Sequence, residues 1–213
     1  MRQPTPHLPG RRLLLSGLAG AAIAGLPRRA AAQLQPTPPQ STGPFYPVDW
    51  LGDADADLVR VTGEDARAQG VVTHLRGRVL DASGAPVPGA VVEIWQCDAF
   101  GVYRHPRDRQ GRRDVGFQGR GRAVAGADGR YAFRTIRPVP YPGRTPHIHA
   151  AIIAPNRAPL VTQLYVADET LNARDGLFRR LDPAEREAVL LHLERADGIE
   201  RGALLASRDL VLG

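Results

Sequence analysis

A single cysteine, Cys97, in 213 residues excludes an intramolecular disulfide, so whatever folds here is held by its core alone. Cys97 itself reads as a small buried hydrophobe. No apolar run reaches the length of a membrane span. The best candidate, residues 13–26, is short and broken by Gly17, Gly20 and Gly25. No acidic residue precedes Asp49. The formal charge of +6 therefore overstates the basicity of the rest of the chain: Arg2, Arg11, Arg12, Arg28 and Arg29 lie ahead of it, and without them about +1 remains. Aromatic residues make up 6% of the chain and are not interleaved with arginines as base stacking requires, which sets nucleic acid aside as a partner. No repeat of solenoid length is present.

What is there begins with a processing signal. Arg11 and Arg12 open an apolar segment rich in Leu, Ala and Gly, and Ala30, Ala31 and Ala32 offer a cleavage site before Gln33. This is the pattern of a twin-arginine export signal over residues 1–32. The expectation is a periplasmic protein with no stable membrane span once the signal is removed. The alternative is an inner-membrane anchor through an uncleaved N-terminus.

Residues 33–73 are proline-rich at first and read as an extended arm. From residue 74 onward the pattern turns to β. Runs at 75–80 and 90–96 alternate apolar and polar residues around the turn signal SGAPVPG, and Asp128-Gly129 precedes another run bearing Tyr131, Phe133 and Ile136. HIHAAIIAP, LVTQLYVA and RDLVL supply further strands. The expected helix is DPAEREAVLLHLERA, with Asp182 as cap, Pro183 in the first turn and Glu185 completing a capping box. The arginine-rich stretch 104–122 reads as a solvated, flexible loop, with His105 exposed on it. His74 and His192 read as unremarkable surface or helix positions, Trp95, Tyr131 and Tyr165 as core. The architecture expected is all-β, an antiparallel sandwich with one late helix and an N-terminal arm, the sandwich occupying residues 74–213.

His147 and His149 lie two apart on an expected strand, so both side chains leave one face and reach one ion. Histidines two apart occur on strands for many reasons. Tyrosine is a rarer ligand, because a phenol ionises near pH 10 and needs a strong Lewis acid to do so at neutral pH. Ferric iron meets that need, and two imidazoles with two phenolates suit it. Tyr141 lies six residues ahead of His147. Tyr103, after a strand end and a glycine, is the second candidate.

With these residues in order, the chain resembles the intradiol ring-cleavage dioxygenases, the group of protocatechuate 3,4-dioxygenase and catechol 1,2-dioxygenase. The resemblance rests on STGPFYP, GRVLDASGAPVPGAVVEIWQCDAFGVYRH, ADGRYAFRTIRPVPYPGRTPHIH and VTQLYV, and runs from about residue 36 to the terminal RDLVL. It implies one Fe(III) per chain, held by Tyr103, Tyr141, His147 and His149, with Tyr141 the ligand that substrate displaces. It implies that Arg144 lies against the bound ring and that Gln163 is its partner. Tyr46 is expected either at the pocket mouth or packing the arm onto the sandwich. The implied reaction opens a catechol-type ring between its hydroxyls with O2, giving a muconate. The ring substituents accepted stay open, as does a homo- or hetero-oligomeric state. The same strand and turn grammar also suits non-catalytic transthyretin-like and carboxypeptidase-regulatory sandwiches, which have no metal.

Overall fold

A computed structural model describes Met1 and residues 33–109 and 111–213. The expected export signal, Met1 apart, lies outside the described residues. Among the described residues no helix is long and apolar enough to cross a membrane.

Two five-stranded sheets enclose one apolar core. The first is organised around β1 (Val72–Asp81), a ten-residue strand. Along one side of β1 runs β4 (Arg130–Ile136), antiparallel, with Leu75 opposite Phe133. Along its other side lie β9 (Leu204–Ser207) and then β10 (Leu210–Leu212), both parallel to β1. The handover between them falls on Gly77. A Cβ there would lie 1.7 Å from the Arg208 carbonyl oxygen, so no larger residue fits while Arg208 N–H donates to Arg76 O at 2.9 Å. The second sheet runs β3 (Arg120–Val124), β2 (Val91–Trp95), β5 (His147–Ile153), β6 (Leu160–Val166) and β7 (Leu190–Leu191). Its inner face supplies Val92, Ile94, Ile148, Ala150, Ile152 and Leu164 to the core, all at 0% exposure. The alternation of strand side chains then sends Trp95, His147, His149, Gln163 and Tyr165 to the opposite face. Tyr131 and Tyr165 are buried, as is Cys97.

Several expectations need correcting. The sandwich is mixed rather than antiparallel, because β1 pairs in parallel with β9 and β10, and β6 with β7. The helix forms with its capping box intact, Asp182 accepting from Glu185 N–H at 2.8 Å, but it spans only Pro183–Val189. Leu190 turns extended at ψ 137°. Leu190 and Leu191 pair instead with Tyr165 and Val166, and Leu193–Arg195 (β8) pairs with β9. Sheet pairing outcompetes a helix of marginal length. The stretch 104–122 is solvated only in part, with Arg104, Arg107, Arg109, Arg112 and Arg113 exposed. It buries His105, Asp114, Phe117 and Gln118, and its last residues begin β3 against β2. His105 is 3% exposed, not a surface histidine.

The arm packs closely. Thr37 N–H donates to Val211 O and its hydroxyl accepts from Val211 N–H, tying it to β10. Gln40 N–H donates to Val161 O on β6 at 2.7 Å. Further on, Leu58 and Val59 enter the core at 0% exposure. Between these anchors, residues 41–50 cross the outer face of the second sheet, over the two histidines.

Candidate active site

His147 and His149 lie on adjacent outward positions of β5, each 1% exposed, with their Nε2 atoms 3.2 Å apart. The Thr145 carbonyl can only accept, so the 2.7 Å contact from His147 Nδ1 places that ring's proton on Nδ1 and a lone pair on Nε2. His149 has no such partner for Nδ1. Its ring is held instead by stacking on Trp95, with centroids 4.8 Å apart and planes at 7°. Burial, reinforced by Arg144, pushes the His147 imidazole down to about 4, and burial with the neighbouring His147 holds His149 well below its usual range. Both rings are neutral at pH 7, the state in which imidazole binds metals.

Tyr103 reaches this pair from the loop after β2. Asp98 builds that loop, its Oδ1 accepting from Phe100 and Val102 N–H and its Oδ2 from Asp114 N–H. The glycine two residues before Tyr103 has a physical reason. Gly101 adopts φ +80°, and a Cβ there would lie 3.1 Å from the Pro140 carbonyl and 3.5 Å from Tyr141 Cβ. Gly101 thus lets the loop carrying Tyr141 come alongside the loop carrying Tyr103. The two rings meet edge to face, 5.4 Å between centroids, with Tyr141 5.5 Å from His147 and Tyr103 6.1 Å from His149.

Arg144 N–H donates to Tyr141 O at 2.9 Å in the next turn of the chain, and its guanidinium makes three contacts. Nε donates to Asp175 Oδ2 at 2.8 Å, Nη1 to Tyr141 Oη at 3.3 Å, and Nη2 to Gln163 Oε1. Burial is the largest single influence and opposes the charge on Arg144, but Asp175, Tyr141 and Tyr165 together outweigh it. Gln163, paired with His149 across β5 and β6, donates its Nε2 to Ser41 O at 2.8 Å and so joins the arginine to the arm.

Tyr46 stands one ring further out. Its hydroxyl donates to Glu93 at 2.7 Å and its ring meets Trp95 edge-on at 5.0 Å, so it touches the face of Trp95's ring system rather than the phenols. Sequence reasoning passed over its neighbour Phe45, which stacks on Tyr103 at 4.6 Å and stands 6.4 Å from Tyr141. It also passed over Asp175, and over the contact of Trp95 with His149. The alternating register of β2 and β5 was the available signal for Trp95. Nothing near Asp175 in sequence points to Arg144. Two cavities flank Tyr141. One, of about 280 Å³, is walled by Tyr141, Arg144, Leu171 and Asp175; the other, of about 690 Å³, by Phe100, Val102, Val115 and Pro140.

Does this set of donors fit ferric iron? Burial pushes Tyr103 well above the ordinary phenol range, Tyr141 adding to it, and raises Tyr141 against the opposing pull of Arg144. Tyr103 Oη is buried without a well-formed hydrogen bond. Among the described residues, no group of three or more His, Cys, Asp or Glu is arranged to hold a metal. The imidazoles therefore have only phenols for company, a set that favours a hard cation able to ionise phenol. The residues fit.

Comparison with known proteins gives the family. The profile of the family described as Dioxygenase matches residues 41–212. The chain is 35% identical over 178 residues to the protocatechuate 3,4-dioxygenase beta chain of Burkholderia cepacia, covering 79% of this chain and 76% of that one. It is 33% identical to hydroxyquinol 1,2-dioxygenase of Corynebacterium glutamicum, covering 78% of this chain and 58% of that relative's length. Among solved structures, the dioxygenase domain of a dioxygenase carbohydrate-binding protein fusion from Streptomyces sp. SirexAA-E superposes with a TM-score of 0.65 at 35% identity, covering 84% of this chain and 98% of that one. Catechol 1,2-dioxygenase from Acinetobacter sp. ADP1 gives 0.64 at 25% identity, covering 83% and 62%. The chain belongs to the intradiol ring-cleavage dioxygenase family.

Proposed function

We propose that this protein opens catechol-type rings between their two hydroxyls with O2, giving muconate-type acids, at one ferric iron held by Tyr103, Tyr141, His147 and His149. The convergence of two neutral imidazoles with two phenols, Tyr103 buried and Tyr141 half-buried, and no carboxylate among them, carries this reading. Bound ferric iron would supply the Lewis acidity that keeps the phenols ionised and activates the catechol. The rest falls to the chain. Tyr141 borders the 280 Å³ cavity and is the phenol a ring entering there meets first. As a phenoxide, its Oη is a base strong enough to accept the second catechol proton. Arg144 Nη1, 3.3 Å from that oxygen, already faces the space a ring would take, and its charge favours negative charge building on the ring. Gln163 fixes Nη2 without adding charge. Tyr103 is the less accessible phenol, covered by Phe45, and is assigned to stay in place throughout. Tyr46, its hydroxyl given to Glu93, is assigned to seating the arm over Trp95.

The test is oxygen uptake by iron-loaded protein on a panel of catechol, hydroxyquinol and protocatechuate, with mass analysis of products. Cleavage between the hydroxyls, in a protein coloured by tyrosinate, is the expected result. His147→Ala and His149→Ala should each lose both iron and colour. Full iron content in either variant, or a colourless protein after iron-replete expression, would remove the basis of the proposal and favour a metal-free binding sandwich. The export of the mature form from residue 33 belongs to the same proposal.

A further inference from the structure

The 280 Å³ cavity beside Tyr141 and Arg144 is edged by one side chain that the ring-opening reaction does not use. Arg174 comes directly after the short 3-10 turn Thr170–Ala173, is exposed, and borders the cavity together with Leu171. Among the described residues its guanidinium makes no hydrogen bond and no ion pair. The carboxylate beside it in sequence cannot neutralise it. Asp175 Oδ2 accepts from Arg144 Nε and Thr145 N–H, and Oδ1 from Leu177 and Phe178 N–H, so both oxygens are committed. Arg144 and Asp175 cancel one another, and Arg174 leaves the cleft with one uncompensated positive charge. Gly143, also on this wall, has nothing within 4 Å of where a Cβ would stand, so the wall is open there.

From this arrangement we propose that Arg174 determines substrate choice, and that the cleft takes catechols whose ring carries an anionic side group, a carboxylate in the first instance. The proposal rests on the ring-opening reading and deepens it. A ring with its two hydroxyls toward Tyr141 turns its far edge to the cavity mouth, where Arg174 offers a forked donor suited to a carboxylate. That contact lies away from the reacting carbons and is made equally in the ground and transition states. It therefore acts on KM and leaves kcat nearly unchanged.

Matched acids and methyl esters test this, because esterification removes the charge, and its electron-withdrawing effect on the ring is the same in parent and variant and drops out of the comparison between them. Iron-loaded protein is assayed with 3,4-dihydroxybenzoate and 3,4-dihydroxycinnamate, each against its methyl ester. In at least one pair the acid should be preferred by about tenfold in kcat/KM, through KM, the size expected of one charge-assisted hydrogen-bonded contact. Arg174→Gln should erase the preference by raising KM for the acids far more than for the esters, and Arg174→Lys should restore part of it. A merely structural role would lower acids and esters alike. If the esters match the acids in both pairs, or Arg174→Gln leaves the ratio intact, the assignment is wrong. Calorimetric binding of 4-hydroxybenzoate against its methyl ester separates the anion subsite from the ring-opening chemistry. A charge preference lost in Arg174→Gln, in a protein that opens no catechol, would keep the anion subsite and sink the ring-opening reading. No turnover and no charge preference would sink both.

Discussion

Asp175→Asn changes almost nothing in shape and removes the acceptor that anchors Arg144. The side chain of Asp175 is fully out of solvent, and that of Arg144 is 15% exposed. Four donors converge on the carboxylate: Arg144 Nε at 2.8 Å and Thr145 N–H at 3.1 Å on one oxygen, Leu177 N–H at 2.9 Å and Phe178 N–H at 3.0 Å on the other. An asparagine has one oxygen to offer, and its NH2 must face two of those donors whichever way it turns. Each buried donor left without an acceptor costs about 1–3 kcal/mol. Breaking a buried ion pair from one side costs about 3–5 kcal/mol. The two penalties overlap at Arg144, so a loss of about 3 kcal/mol is expected, a large share of the roughly 5–15 kcal/mol that holds a typical domain. Guanidinium unfolding reads it as a lowered midpoint at unchanged slope. Catalysis should suffer as well, because Nη1 no longer has a fixed position over the ring, and kcat should fall at least about tenfold. A cycle with Arg144→Met should return a coupling of about 1.5 kcal/mol or more between the two positions. Stability within about 1 kcal/mol of the parent with kcat intact would refute the idea that Asp175 positions the arginine.

The two phenols should separate spectroscopically: by resonance Raman on an anaerobic catechol complex, Tyr141→Phe should keep a tyrosinate band from Tyr103, whereas in Tyr103→Phe the remaining band should vanish when catechol binds. The opposite pattern would reverse the assigned roles. Glu200, hydrogen-bonded to Arg134 through both oxygens and also contacting Arg67, has its carboxyl lowered to about 2, chiefly by Arg134. A depressed carboxylate stabilises above its unfolded pKa and loses that contribution as pH falls through the folded one. Glu200→Gln should therefore flatten the loss of stability between about pH 4.5 and 2, by on the order of 1–3 kcal/mol after allowing for solvent screening. An acid limb unchanged in that variant would count against the network. Replacing Arg11 and Arg12 by lysines should block export of the mature form beginning near Gln33, read by mass spectrometry of periplasmic material; continued export would undermine the twin-arginine reading and leave the enzyme untouched.

Much of the site is written locally. The alternation in HIHAAIIAP fixes which face His147 and His149 share, and Gly101 can be read as a demand for positive φ before the structure shows the Pro140 carbonyl behind it. Asp182 and Glu185 announce the helix start correctly, because capping is a contact between residues three apart. Its end is not legible locally, because Leu190 and Leu191 have the helical period and only the edge of β6, far back in the chain, makes the extended state better. Strand β9 carries no local signal for a similar reason, its partner in β1 being parallel and remote. Asp175 lies 31 residues from Arg144, and no period or motif connects them. Phe45 was hidden by its own neighbour: in GPFY the eye goes to the hydroxyl of Tyr46, while the apolar ring takes the place on Tyr103.

The parallel seating of β9 and β10 beside β1 also bears on how the chain can be made. Arg78 and its partner Asp209 are 131 residues apart, and between Val79 and Asp81 the neighbour of β1 is Leu210–Leu212. Until those last strands leave the ribosome, one side of a ten-residue strand has no backbone partner. An unpaired edge of that length is an invitation to another chain. Deleting Leu210–Leu212 would take two leucines out of the core and also leave part of that edge permanently open. The product expected is insoluble during synthesis rather than a soluble enzyme of lower stability.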